Sequence, residues 1–266
     1  MCTSFVIHEP ELLISMNFDN DGKKFQLSLD SNHFICSIDI VSRYIPSFGI
    51  SSSGNFINDL MVDYDEKGKY KRQSQKRWVN SKLVEQVLND GFSTSDFNML
   101  LNDLQIVYAP NSFTHNLLVD KNGNSYIIEP GYETSYYDCS KKIPVVLTNF
   151  QLDKLAEASD TSSISGFNRY QNISKEIEKE PSVTIDRAFN LLDEVKQDNE
   201  NWKTELSMVY LPNAKTVFFS VNCNFSKRFK YDLKNGKLTK NKGFYDSSEI
   251  QFDNKIITLN EIYSIV

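Results

Sequence analysis

Residues 1–7 read Met1-Cys2-Thr3-Ser4-Phe5-Val6-Ile7, a cysteine at the second position leading directly into apolar and β-branched residues. A run of that kind reads as a β-strand. With Met1 removed, Cys2 carries a thiol and a free α-amine on one residue, and the amine can serve as the thiol's own base. Ordinary values suit this role, since an α-amine titrates near about 7.7–8.0, a thiol near about 8.5, and burial lowers the amine further. Proton transfer near neutral pH then needs no histidine, which makes Cys2 a candidate nucleophile at the head of a strand; read by position alone, it is equally a residue that follows Met1 by chance.

Outward from this segment, alternation predicts strands at Ser4–Ile7, Leu12–Asn17, Lys24–Leu29 and Phe34–Val41, separated by Asp, Asn and Gly turns. Helical spacing first appears at Ser81–Asp90, where Leu83, Val84, Val87 and Leu88 share a face and Gly91 ends the run, and then at Ser93–Asn102. A meander follows at Gln105–Tyr108, Thr114–Val119, Ser125–Glu129 and Pro144–Thr148, with Asn122-Gly123 as a hairpin signal. Helices at Leu152–Ala158, Asn168–Glu178 and Val183–Val195 precede strands at Glu205–Leu211, Thr216–Val221 and Arg228–Asp232. Blocks of strands and helices without a strand-helix-strand rhythm predict antiparallel sheets covered by helices, an α+β architecture. No repeat or low-complexity linker interrupts the chain, so residues 1–266 are read as a single domain.

The net charge of −6 opposes a phosphate backbone and argues against nucleic acid as a partner. The one basic cluster, Lys67, Lys69, Lys71, Arg72, Lys76 and Arg77, lies in a polar stretch that reads as a solvated loop. The first residues lack the features of a signal peptide, and no segment approaches the roughly 18 apolar residues of a membrane span; the expected location is the cytoplasm. Four cysteines without a CxxC pair and three histidines without metal-ligand spacing predict reduced thiols, no metal and no cofactor. Asn17-x-Asp19-x-Asp21-Gly22 imitates the start of a calcium loop, but the twelfth position is Ser28 and the stretch from Phe25 alternates as a strand, so a turn is the better reading. Cys36, Cys139 and Cys223 are assigned to packing.

Cys2 also opens an ordered set of segments. Met1-Cys2-Thr3 is followed by Ser15-Met16-Asn17-Phe18-Asp19, by residues 49–54 with Phe56-Ile57-Asn58-Asp59-Leu60-Met61, and by His115-Asn116-Leu117-Leu118-Val119-Asp120 through Ile127-Ile128-Glu129. Val145-Val146-Leu147-Thr148-Asn149 and a Ser-rich stretch closing in Arg169-Tyr170 complete it. Together these resemble the choloylglycine hydrolase and penicillin acylase group of N-terminal-nucleophile (Ntn) hydrolases, over nearly the whole chain. The resemblance implies a four-layer αββα sandwich of antiparallel sheets. It further implies a thioester acyl-enzyme on Cys2, formed by cleaving a linear carbon–nitrogen amide bond, with the acyl group passed to water or another amine. The expected partner is a small-molecule N-acyl amide; homo-oligomerisation is left open.

By the same resemblance Asp19 would hydrogen-bond the thiol or α-amine of Cys2, Asn149 would offer its side-chain amide to the oxyanion, and Arg169 would orient the nucleophile. Backbone N–H near Met61 would be a second oxyanion donor. The residue types fit: an amide N–H aimed at developing charge is worth about 10²–10³ in rate, and Arg is a permanent cation with a rigid donor fork. Read alone, Asp19 is a turn former, Asn149 a helix N-cap and Arg169 a surface residue. Met16 stands where bile-salt hydrolases of the group carry Arg, which points toward smaller amides. The alternative function is an inactive binding protein that keeps the sandwich; a mature N-terminus at Cys2 separates the two.

Overall fold

The computed structural model describes residues 2–30, 32–91, 97–157, 161, 163–252 and 255–266. Met1, the first half of the helix expected at Ser93–Asn102, Ala158 and Ser162 lie outside them. From the N-terminus come β1 (Thr3–Ile7), β2 (Leu13–Asn20), β3 (Phe25–Ser28), β4 (Phe34–Ile40), β5 (Arg43–Ile50), β6 (Phe56–Asn58) and β7 (Leu60–Met61). Next are β8 (Arg77–Val79), α1 (Asn80–Leu88), α2 (Phe97–Asp103), β9 (Gln105–Val107), β10 (Thr114–Val119), β11 (Ser125–Ile128), β12 (Ser135–Tyr137) and β13 (Val145–Leu147). The rest is α3 (Leu152–Glu157), α4 (Phe167–Lys179), α5 (Ile185–Glu194), β14 (Lys203–Leu211), β15 (Thr216–Val221), β16 (Arg228–Asp232), β17 (Lys237–Lys242), β18 (Ile256–Thr258) and α6 (Leu259–Ile265).

Two antiparallel sheets carry the molecule. One is seven-stranded in the order β13-β1-β2-β14-β15-β16-β17; the other is nine-stranded, ordered β12-β11-β10-β6-β5-β4-β3-β18 with β7 also on β10. Strand alternation sorts their side chains into three buried layers. Cys2, Val6, Ile14, Met16 and Phe18 from the first sheet meet Phe34, Cys36, Phe48, Leu117 and Val119 from the second. Phe5, Ile7, Leu13 and Val209 point the other way, onto Ile173 and Ile177 of α4 and Phe189 and Leu192 of α5. On the far side Ile57, Leu118 and Tyr126 pack against Leu83, Val84 and Val87 of α1 and Phe97 of α2. The result is helix, sheet, sheet, helix: the expected four-layer αββα sandwich. A one-residue slip of β1 would move Cys2 out of the inter-sheet layer, so burial of Phe5 and Ile7 under α4 and α5 also fixes where the thiol lies.

Sequence reading missed β5, and the reason is physical. Pro46 and Gly49 read as breakers, but Pro46 faces Ser37 beside a bulge in β4, where a missing N–H is tolerated. A Cβ on Gly49 would come within 2.5 Å of the Phe34 carbonyl oxygen, so glycine is what lets β5 lie against β4. The pair β8–β9 departs from the antiparallel expectation: it is parallel, with α1 and α2 in the crossover that parallel pairing requires. Lys67, Lys69, Lys71, Arg72 and Lys76 are exposed, as a solvated loop should be. Among the described residues no helix is long and apolar enough to cross a membrane.

Candidate active site

β1 and β2 pair with Thr3 opposite Asn17, which brings the end of β2 beside Cys2. The buried thiol donates to the Asp19 main-chain carbonyl (Sγ to O 3.7 Å) and accepts from the Asp19 N–H (3.4 Å). Asp19 therefore touches the thiol through its backbone rather than its carboxylate. Its side chain has the parity of Leu13 and lies on the helix side of the sheet. There Oδ1 accepts from Thr204 Oγ1 at 2.5 Å across the β2–β14 ladder. Among the described residues Oδ2 has no hydrogen-bond partner, and it lies 3.8 Å from Nη1 of Arg169. Burial pushes the carboxyl up to about 6, against the Thr204 hydrogen bond and the Arg169 charge. Burial also raises the Cys2 thiol, and the Asp19 charge adds to the rise while Arg169 opposes it.

Arg169 is only 7% exposed, so the surface reading fails. It sits in the first turn of α4, and its fork joins three segments. Nη1 donates to the Cys2 carbonyl oxygen and to Thr3 Oγ1, both at 2.7 Å, and Nη2 donates to Asn149 Oδ1 at 2.7 Å. A lysine ammonium, a point charge, cannot hold this fixed geometry. The close approach depends on Gly166, the N-cap of α4, at φ +80°. A Cβ there would stand 2.9 Å from Arg169 Nη2 and 3.0 Å from the Asn149 nitrogen.

Asn149 follows β13, the edge strand paired to β1. Because Oδ1 accepts from Arg169, the amide orientation is settled: Nδ2 points away and donates to the Met61 carbonyl oxygen at 2.7 Å. The side chain is engaged at both ends and is not a helix cap. Each amide nitrogen carries two N–H bonds, and the Met61 contact uses one. Val62 N–H donates to the Phe113 carbonyl. By ladder alternation the neighbouring Met61 turns its own N–H and C=O away from β10, and its carbonyl is what Asn149 meets. Met61 itself is 48% exposed.

Thus Cys2, Asp19, Arg169, Asn149 and Met61, scattered over the chain, converge on one end of the first sheet and the facing strand of the second. Thr204 escaped sequence reading because an ordinary strand threonine 185 positions from its partner carries no local signal. Asn58 belongs to the segment Phe56–Met61 but carries no role that its sequence context reveals; its Nδ2 donates to Ser4 Oγ at 2.7 Å and its Oδ1 accepts from Leu117 N–H at 2.9 Å, tying the sheets together. Met16 is fully buried on the inter-sheet side, its sulfur 3.9 Å from Asn58 Nδ2. A cleft of about 410 Å³ between His8, Lys142 and Tyr170 is lined by none of these residues.

The sequence matches no protein-family model and no curated relative. Solved structures are similar in shape. A cysteine-to-alanine mutant, at the second residue, of conjugated bile acid hydrolase from Clostridium perfringens superposes with a TM-score of 0.64 at 14% identity, covering 96% of this chain and 100% of that one. An arginine-to-leucine variant of the same enzyme gives 0.64 at 13% identity, with 95% and 100% covered. Penicillin V acylase from Agrobacterium tumefaciens gives 0.63 at 15% identity, with 93% and 94% covered. The chain has the Ntn-hydrolase fold of these enzymes.

Proposed function

We propose that this chain is an Ntn amidohydrolase in which Cys2, freed by loss of Met1, attacks a linear amide. The observation that carries the reading is the buried Cys2 at the head of β1, held by the Asp19 backbone and gripped at its carbonyl by an Arg169 fork that also orients Asn149. In the reaction Sγ bonds to the amide carbon while the thiol proton passes to the α-amine. The carbonyl oxygen takes up the electron pair and is met by N–H groups of Asn149 and Met61. Collapse breaks the C–N bond, and the leaving nitrogen takes the proton back from the α-ammonium. Water, or a second amine, then attacks the thioester and releases the acid or the new amide.

Two features support the arrangement. A thiol raised by burial stays neutral until its base removes the proton, so the nucleophile is unmasked only when substrate arrives. The unpartnered Oδ2 of buried Asp19 is an acceptor of the kind an α-ammonium satisfies. Intact-mass analysis tests the reading directly, with N-acyl aminocoumarins from acetyl to myristoyl as probes. Wild type is expected to begin at Cys2 and to carry a trapped thioester, while Cys2→Ala stays folded, takes no acyl mass and shows background turnover. A mature chain that still begins at Met1 and takes no acyl group would leave a binding protein in place of an enzyme.

Substrate choice follows from Met16. A buried thioether near Asn58 cannot supply the cation that bile-salt enzymes of the group hold at this position. One lost charge-assisted contact is worth about 1.5–3 kcal/mol, of order 10–10² in rate. Glycocholate and taurocholate are therefore expected about a hundredfold slower than the best simple N-acyl amide; bile salts emerging first in steady-state kinetics would overturn this preference.

A further inference from the structure

The motif running from His115 to Glu129 has no part in the chemistry above, although both residues are buried. His115, on β10, has Nε2 2.7 Å from the main-chain carbonyl oxygen of Thr148 and Nδ1 3.2 Å from Glu129 Oε1. Glu129 Oε1 also accepts the Leu152 N–H at 3.0 Å. A carbonyl oxygen only accepts, so Nε2 carries a hydrogen. The other link joins a ring nitrogen to a carboxyl oxygen, and it holds only with a proton between them. The pair therefore shares one proton and grips the chain at Thr148 and at Leu152, on either side of Asn149.

The same pair sits beside the other proposed oxyanion donor. Thr114, adjacent to His115 on β10, is the ladder partner of Met61. His115 thus ties the strand that holds Met61 to the turn that holds Asn149, and those residues meet through the Asn149 Nδ2 to Met61 carbonyl contact. We infer that His115 and Glu129 are positioning residues: they set the gap in which the tetrahedral oxyanion sits and touch neither substrate nor thiol. This inference rests on the reading of Asn149 as an oxyanion donor. A displacement of about 1 Å in such a donor costs about a hundredfold in rate, so a pair that fixes the turn acts on the transition state far more than on binding.

The test is a double-mutant cycle on acylation of Cys2 by the best acyl aminocoumarin of the series, read by single-turnover fluorescence and by mass. His115→Gln keeps an amide donor near Thr148 and breaks the link to Glu129. It is expected to slow acylation roughly ten- to hundredfold with KM unchanged. Asn149→Ala is expected to slow it by about 10²–10³, and the double variant to be no slower than Asn149→Ala alone, because His115 acts through that residue. Effects that multiply, or a His115→Gln enzyme acylated at the wild-type rate, would overturn the inference. Should His115→Gln fail to fold, Glu129→Gln, which keeps an acceptor for Leu152 N–H, enters the cycle in its place with the same expectation. The two levels fail differently: an unchanged rate in Asn149→Ala, or acylation of Cys2→Ala, removes the underlying reading. A slow Asn149→Ala beside a fast His115→Gln removes only the positioning role.

Discussion

Asp19 in the first sheet is buried and Asp59, in the link between β6 and β7 of the second, is half-buried, and desolvation pushes each carboxyl up to about 6. Their company differs. Asp19 has the Arg169 guanidinium 3.8 Å away, one hydroxyl donor in Thr204, and an Oδ2 with no hydrogen bond among the described residues. Asp59 is met by neutral amides: Oδ1 accepts from Asn80 Nδ2 and Asn116 Nδ2, each at 3.1 Å, and the amide oxygens of those asparagines are themselves unpartnered. The first setting holds a carboxylate against a cation; the second is short of a proton. Two carboxyls at the same value are thus told apart by what surrounds them, and only Asp19 sits where a nucleophile and its α-amine would use the charge.

The sharpest way to break this contrast is Arg169→Met. It leaves the Asp19 carboxylate without its cation and removes the donor from the Cys2 carbonyl, Thr3 Oγ1 and Asn149 Oδ1. Breaking a buried pair from one side costs about 3–5 kcal/mol, so thermal denaturation should show a large fall in Tm. A Tm near wild type would mean that Asp19 is neutral and the charged setting imagined.

Asn149→Ala comes next: on its proposed role as an oxyanion donor, which acts on the transition state, kcat should fall by about 10²–10³ with KM little changed. Unchanged kcat with a lowered Tm would reduce Asn149 to a strut between Arg169 and Met61.

Asp59→Asn is the smallest effect and has the opposite sign. A carboxyl whose folded value lies above its unfolded one, here about 6 against about 3.9, favours folding while protonated. That contribution is complete below about pH 4 and is lost as the pH rises through about 6. An asparagine keeps the acceptor, adds donors for the unpartnered amide oxygens and removes the titration. Urea denaturation at pH 8 should find it more stable than wild type by about 2–3 kcal/mol, with a flatter profile between pH 4 and 6. Asp19→Asn should give no such gain, because it strips Arg169 of its counter-charge; equal gains at both positions would erase the distinction.

Much of this is legible in the sequence. Cys2 is visible because a thiol at the second residue followed by a β-pattern is a local feature, and the apolar strand β13 just before Asn149 is visible for the same reason. Arg169 can be named only through the resemblance, since nothing within α4 distinguishes a buried arginine from a surface one until Gly166 brings the helix close. Thr204 and the amides around Asp59 are invisible: their meaning lies in cross-strand and cross-sheet register, which no window of sequence contains. The C-terminal elements escape sequence reading too, because β17, β18 and α6 are short and weakly patterned, and what identifies them is docking: Lys227 Nζ bonds the Val266 carbonyl, and Tyr263 bonds Glu205.

Gly166 carries a practical consequence for anyone who surveys this chain by saturation mutagenesis. It has no functional group, stands 164 positions from Cys2 by residue number and caps a helix, yet any side chain there would press on Arg169 and on the Asn149 backbone at a φ that only glycine adopts freely. A selection for turnover would therefore score it with the proposed nucleophile and its partners, whereas a selection for abundance would report a milder defect, about 1–2 kcal/mol for the left-handed backbone. The difference between the two maps, position by position, is a way to recover an active-site outline from sequence counts alone, and a glycine would mark its edge.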